Sequence, residues 1–298
     1  MNRRSMLRLV TGACVVAAGR ARAGTRAPPR RIVSLDWGLA EMLLSIGVVP
    51  VGLANTTGFR SNFTTSVLPM SVVDLGLKFQ PNMELLLALK PDLILVTPAH
   101  AALRASLERI APTRTLGRYR YSAAPYTVAR EETLQLGRWL EREPVAVAVL
   151  DDAQQTIGRA RGRLAACLPG CDRPLLVAQF LDETHARVFG PHSMYGEMLT
   201  TLGLRSAWRG PANAPAVATV GYEALGSAHD ATLICLTPLP AAVESMMKTS
   251  PLWRAMGFAS PGRTIALPLV PPDGGVVSAT HFAGSLADAL VKTARERA

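Results

Sequence analysis

Glu41-Met42-Leu43-Leu44-Ser45-Ile46-Gly47 returns 156 positions later as Glu197-Met198-Leu199-Thr200-Thr201-Leu202-Gly203. In both blocks apolar residues at helical spacing run into a glycine, the residue that most readily adopts the left-handed turn ending a helix. Each block reads as a helix with a glycine C-cap, and its recurrence points to a duplicated lobe. A second echo follows in the same order. Glu84 stands eight residues before Asp92 of an apolar strand, and Glu223 stands seven before Asp230 of another.

Outward from these blocks, strand-like and helical runs alternate. In the first half they are Ile32 to Asp36, a helix over Leu39 to Ile46, Val49 to Leu53, Asp92 to Thr97, a helix over Ala101 to Ile110, and a strand near Thr113 to Leu116. The second half repeats the alternation with Pro174 to Phe180, Arg187 to Phe189, a helix over Ser193 to Leu202, Thr232 to Leu236 and Thr264 to Leu267. Such alternation predicts an α/β class with a mostly parallel sheet in each half. Between the halves, Tyr126 to Leu140 and Pro144 to Cys167 read as helices, the second closed by Pro169-Gly170. A helix of about 23 residues spans roughly 35 Å, enough to join two lobes rigidly. The expected organisation is an N-terminal lobe over 30–142, a linking helix over 143–168 and a C-terminal lobe over 172–298, facing each other across a ligand cleft.

The chain has 298 residues, with 49% hydrophobic and 18% charged, so it can bury a core, and intrinsic disorder is excluded. Its formal net charge is +10, but the charge is unevenly placed. Residues 1–23 hold five arginines and no acid, which leaves 27 bases against 22 acids over the rest. Arg3 and Arg4 open a basic segment, Leu9 to Gly19 are mostly apolar, and Ala21-Arg22-Ala23 fits an A-x-A cleavage site. Residues 1–23 therefore read as a signal peptide, and the protein as periplasmic. Arg3-Arg4-Ser5-Met6-Leu7 also resembles a twin-arginine signal; the alternative is an ordinary Sec signal. Thr11-Gly12-Ala13 before Cys14 is a poor lipobox. After residue 23 no apolar run approaches the roughly 20 residues of a membrane helix, so the mature chain is expected to be soluble.

Cys167, Cys171 and Cys235 remain after the signal. The first two flank Leu168-Pro169-Gly170 and either form a short disulfide or stay free thiols, while Cys235 lies inside an apolar strand. The five histidines are scattered without metal-ligand spacing, and no nucleophile elbow, dinucleotide fingerprint, P-loop or H-E-x-x-H is present. The one catalytic alternative is an exported serine hydrolase using Ser193 with His192 or His281. Arg118-Tyr119-Arg120-Tyr121 sets bases beside aromatics, but an exported protein has no nucleic acid to meet, so an anionic ligand or a solvated loop is the better reading.

Several segments, in this order and almost without gaps, resemble the periplasmic ferric hydroxamate siderophore-binding proteins, the substrate-binding components of iron-siderophore ABC importers. They include Arg31-Ile32-Val33 with Asp36-Trp37, Val72 to Leu77, Pro81 to Leu86, Lys90-Pro91-Asp92, Val188 to Pro191, Ser250 to Trp253 and Ser278 to Phe282. The resemblance implies a non-enzymatic monomer of two α/β lobes joined by one long helix, with limited hinge motion. Its ligand is a ferric siderophore and its partner an inner-membrane ABC permease; cobalamin, haem or another metal chelate is the alternative cargo. No cofactor is implied, because the iron arrives already chelated.

The resemblance also assigns residues. The family's hydroxamate-gripping arginine and tyrosine correspond here to Lys78 and His100, and its cleft tryptophans to Pro215 and to Pro271 or Pro272. Lys78 keeps a positive donor without the bidentate guanidinium fork. A cleft holding Trp37, Arg60, Lys78, His100, Arg118 and Arg120 suits a more anionic chelate, such as a carboxylate-bearing siderophore. Glu84 and Glu223, one acid on each lobe, correspond to the pair that docks on the two permease subunits; a first-turn glutamate favoured by the helix dipole is the plainer account.

Overall fold

The computed structural model describes residues 28–167, 173–210 and 216–296. The expected signal peptide, Pro215 and the Cys167–Cys171 pairing fall outside what it describes.

In chain order the first half comprises β1 (Ile32–Ser34), α1 (Trp37–Ser45), β2 (Gly52–Leu53), α2 (Thr56–Asn62), β3 (Val73–Asp74), β4 (Gly76–Leu77), β5 (Gln80–Pro81), α3 (Met83–Ala88), β6 (Leu93–Val96), α4 (Arg104–Glu108), β7 (Thr113–Thr115) and α5 (Pro125–Trp139). Then come α6 (Glu143–Cys167), β8 (Leu175–Phe180), β9 (His185–Phe189), α7 (Met194–Thr201), β10 (Val217–Gly221), β11 (Thr232–Thr237), α8 (Ala241–Thr249), α9 (Pro251–Ala255), β12 (Thr264–Pro268) and α10 (Val276–Arg295). Two five-stranded sheets result, ordered β3-β2-β1-β6-β7 and β10-β9-β8-β11-β12. The first is wholly parallel. Its β6 is buried along its whole length, as a central parallel strand covered on both faces must be.

The second sheet departs from the expected parallel pattern, because β8, β9 and β10 form an antiparallel meander. Asp182 makes the first reversal, its Oδ1 accepting the backbone N–H groups of Thr184 and His185 at 2.8 and 2.7 Å. Strand β10 was not expected at all: Val217-Ala218-Thr219-Val220-Gly221 does not alternate apolar with polar residues, and none of the five is fully buried. Likewise Val49 to Leu53 contributes only Gly52–Leu53 to the first sheet.

Helix α6, at 25 residues, runs about 37 Å between the sheets. It is not a bare strut. Leu39 and Leu43 of α1, Leu136 of α5, Ile157 of α6, Leu199 of α7 and Phe282 and Leu286 of α10 belong to one continuous buried cluster. Separating the lobes would expose that cluster to water, so the packing opposes wide opening.

The repeated blocks carry this joint. Gly47 and Gly203 have φ of +75° and +79°, and the same pair of hydrogen bonds closes α1 and α7, with Val48 N–H on Leu43 O and Leu204 N–H on Leu199 O. The first glutamate of each block crosses to the other lobe. Glu41 accepts from Gly275 N–H at 2.7 Å and Ser278 Oγ–H at 2.6 Å, at the N-terminus of α10. Glu197 accepts from Tyr126 N–H at 2.6 Å and from Thr127 Oγ–H at 2.9 Å, at the N-terminus of α5. Each carboxylate thus satisfies first-turn donors of a helix its own lobe does not contain, and faces the positive end of that helix. The exchange is reciprocal, but Glu41 is fully buried whereas Glu197 is half-buried.

Candidate ligand-binding cleft

The loops that leave the C-terminal ends of the parallel strands converge between the lobes, the place where open α/β sheets gather ligands. They enclose a cavity of about 410 Å³ walled by Tyr119 and Arg120 from one lobe, Gln179, Arg187 and Phe189 from the other, and Leu269, Pro272 and Asp273 from the loop before α10. That volume falls within the range of small-molecule sites.

Arg120 stands at the centre. Its Nη1 donates to Asp36 Oδ2 at 2.8 Å and its Nη2 lies 3.3 Å from Asp273 Oδ2, so one guanidinium ties the loop after β1 to the loop before α10. Burial alone would depress the Arg120 pKa, yet the two carboxylates hold it above its ordinary value. Asp36 is 2% exposed because its other oxygen is the N-cap of α1, accepting from Gly38 N–H at 2.9 Å. Neighbouring Tyr119 donates its hydroxyl to the backbone oxygen of Asp273 at 2.8 Å, a second tie between the lobes.

Lys78 and Phe79 form the two-residue tip of the β4–β5 hairpin. The Lys78 ammonium sits 3.6 Å from the centre of the Trp37 ring and 4.0 Å from Asp273 Oδ2. Desolvation lowers its pKa, against the pull of Asp36 and Asp273. The Trp37 indole N–H donates to Ala54 O at 3.0 Å, which fixes the ring beneath the lysine. His100 lies under Phe79, ring centres 4.9 Å apart, and is 1% exposed. Its Nδ1 accepts Thr97 N–H at 3.1 Å, so the proton of the neutral ring belongs on Nε2. Burial lowers the His100 pKa and favours that neutral form, and Nε2 has no hydrogen-bond partner among the described residues.

Four of the six expected ligand residues, Trp37, Lys78, His100 and Arg120, therefore gather around Asp36 and Asp273. The other two turn elsewhere. Arg60 donates to Pro69 O at 3.0 Å, pinning a loop, and Arg118 pairs with fully buried Glu132 at 3.0 Å. Pro272, one of the two prolines expected at the position of a cleft tryptophan, lines the cavity. Tyr119, Gln179, Arg187 and the two carboxylates are additions the sequence reading did not make. Asp36 was visible as a helix cap before Trp37, and Asp273 as the polar residue of Pro271-Pro272-Asp273-Gly274-Gly275; strand-borne Arg187 carried no such mark.

Of the residues in the hydrolase alternative, Ser193 and His192 line the cavity. Ser193 is the N-cap of α7, its hydroxyl donating to Gly190 O at 2.6 Å and accepting from Gly196 N–H at 3.1 Å. His281 lies on the outer groove between α6 and α10, away from the cleft. Among the described residues, no group of three or more His, Cys, Asp or Glu side chains is placed to hold a metal ion. No described helix is long and apolar enough to cross a membrane.

Two α/β lobes, a single long connecting helix and a charged cleft with apolar walls define a ligand-capture protein of the two-lobed binding class. The chain belongs to the periplasmic binding protein family, which matches residues 32–270. It is 32% identical over 262 residues to the iron(3+)-hydroxamate-binding protein FhuD of Escherichia coli (strain K12), covering 88% of this chain and 87% of that one. The structure of the siderophore-binding protein FhuD from Vibrio cholerae, bound to Fe3+–Desferal, superposes with a TM-score of 0.80 at 28% identity, covering 89% and 98% of the two chains. The petrobactin-binding protein YclQ of Bacillus subtilis shares the fold, with a TM-score of 0.71 at 18% identity over 89% and 93% of the two chains. The relationship expected from the sequence segments is the one found.

Proposed function

We propose that the protein captures a ferric siderophore between its lobes in the periplasm and presents it, as a monomer, to an ABC importer. The observation that carries this reading is the Arg120 guanidinium held at the cleft centre by Asp36 and Asp273, with Lys78 stacked on Trp37 beside it. A preorganised cation array flanked by apolar walls suits a rigid complex that carries negatively charged oxygens on its surface. The iron comes with its coordination shell complete, so the protein supplies hydrogen bonds, charge and contact area and no metal ligand. Arg120 and Lys78 are the donors offered to the chelate oxygens, while His100 is buried beneath Phe79 and supports the hairpin that carries Lys78. Titration of the purified protein with ferric siderophores, followed by quenching of tryptophan emission, will give saturable binding that Trp37→Phe largely silences. Absence of a saturable response to every ferric siderophore overturns the reading.

Glu84 and Glu223 are each the second residue of a short helical turn, one per lobe, and both are exposed. They are the acids we assign to docking on the permease pair, whose two-fold symmetry calls for one contact per lobe. Glu84→Ala combined with Glu223→Ala will abolish siderophore-dependent iron uptake in cells while leaving the affinity of the purified protein within about twofold. A comparable loss of affinity moves these residues out of the docking role.

A further inference from the structure

The C-terminal lobe brings a cation of its own to the cleft. Arg187 on β9 lies in register with Gln179 on β8 and Thr219 on β10, and strand alternation puts the three on one face of the sheet. Two residues along each strand on the same face are Val177, Phe189 and Val217. Val177 and Phe189 are buried in the core shared by the lobes. The row changes from apolar to polar at the level where Gln179 and Arg187 meet the cavity. Gln179 Oε1 accepts from Arg187 Nη1 at 3.2 Å, which orients the guanidinium and uses one of its five N–H donors.

The contrast with Arg120 is in the partners. Arg120 has two carboxylates, whereas none of the ion pairs among the described residues includes Arg187. A half-buried guanidinium aimed into a cavity with no acid within ion-pair distance has only the Gln179 hydrogen bond from its own chain to offset its lost hydration. An incoming carboxylate, whose two oxygens match the planar fork, restores the balance. The apolar neighbours Phe189 and Val217 strengthen that exchange by excluding water from one side of the pair.

We propose that Arg187, oriented by Gln179, is a carboxylate subsite, so that the preferred cargo is an iron chelate bearing a carboxylate arm rather than a carboxylate-free trihydroxamate complex. The proposal rests on the ferric siderophore reading above. The test compares ferric dicitrate with Fe3+–Desferal on the wild-type protein and on Arg187→Gln and Arg187→Lys, with dissociation constants read from tryptophan quenching. Arg187→Gln will weaken ferric dicitrate by about 10- to 100-fold, as expected for a lost charge-assisted pair, and at least tenfold more than it weakens Fe3+–Desferal; Arg187→Lys will recover part of the difference. Equal losses on both ligands, or unchanged ferric dicitrate affinity, overturn the subsite. Wild-type protein that binds Fe3+–Desferal but not ferric dicitrate overturns the carboxylate preference alone. Wild-type protein that binds no ferric chelate overturns the underlying reading instead. Because each variant serves as its own control across two ligands, a general loss of folding cannot imitate the expected ratio.

Discussion

Arg120→Ala will weaken ferric siderophore binding by about 100-fold or more, measured as a dissociation constant by tryptophan quenching. Two effects add. The substitution removes the one side chain that faces the cavity while donating to carboxylates on both sides, 2.8 Å from Asp36 and 3.3 Å from Asp273. It also leaves those two acids facing the ligand without their counter-charge, and Asp36 is too buried for water to compensate. Removing one member of a buried, hydrogen-bonded charge pair typically costs 2–5 kcal/mol, and each 1.4 kcal/mol is tenfold in affinity. Lys78 cannot take over, because its ammonium is 3.6 Å above the Trp37 ring and shares Asp273 only at 4.0 Å. Arg120→Lys will restore charge but not the two-sided reach, and will recover about a tenth of the lost affinity or less. If Arg120→Ala binds within threefold of wild type, Arg120 serves only to tie the lobes, and its signature will be a lowered melting temperature alone.

What the sequence disclosed follows from which interactions are local. The Gly47 and Gly203 caps, the buried run of β6 and the helix from Glu143 to Cys167 are written in contiguous residues, and they appear where expected. Among the site residues, Lys78 and His100 were reached through the resemblance to the siderophore-binding family, and they pack with Trp37 and Phe79 close to Asp273 and Asp36. Arg60 and Arg118 were chosen for charge, but charge says nothing about direction: one side chain serves loop carbonyls and the other a buried glutamate. Asp273 shows the limit from the other side. It meets Arg120 across 153 positions of chain, and only folding brings the loop before α10 to the turn after β7. The matched helices at Glu41 and Glu197 announced a duplication, yet no local pattern signals that each glutamate caps a helix in the opposite lobe, since the capped residues share no motif with one another.

Glu41 makes the joint between the lobes sensitive to pH. Its carboxyl is fully buried, and burial drives its pKa from 4.5 up to about 7, against the lowering effect of the hydrogen bonds from Ser278 and Gly275 and with a smaller push from Asp273. In the unfolded chain the same carboxyl loses its proton near 4.5. Between those values the folded protein holds a proton that the unfolded chain has released, so the contribution of Glu41 to stability falls as pH rises from about 4.5 to 7 and is flat outside that window. At 1.36 kcal/mol per pKa unit the full change is about 3 kcal/mol, an upper bound for a group that can relax. Glu41→Gln keeps an acceptor for Gly275 N–H and offers Ser278 Oγ a donor in place of the carboxyl proton. It will therefore behave like the protonated wild type, melting at about the same temperature at pH 5 and several degrees higher at pH 8. Glu41→Ala will melt lower by about 10 °C at pH 5 and by less at pH 8, where the wild type has itself lost the proton-linked contribution. It strands two buried donors and opens a cavity at the start of α10, a loss of about 3–5 kcal/mol in a chain where each kcal/mol moves the midpoint by 2–4 °C. Glu197→Ala, at a half-buried copy of the same cap, will cost about 1 kcal/mol. The decisive quantity is the wild-type minus Glu41→Gln difference in melting temperature across pH 5 to 8. A constant difference shows that Glu41 does not titrate in this range, whereas a difference that grows toward pH 8 places the proton on the carboxyl that joins α1 to α10.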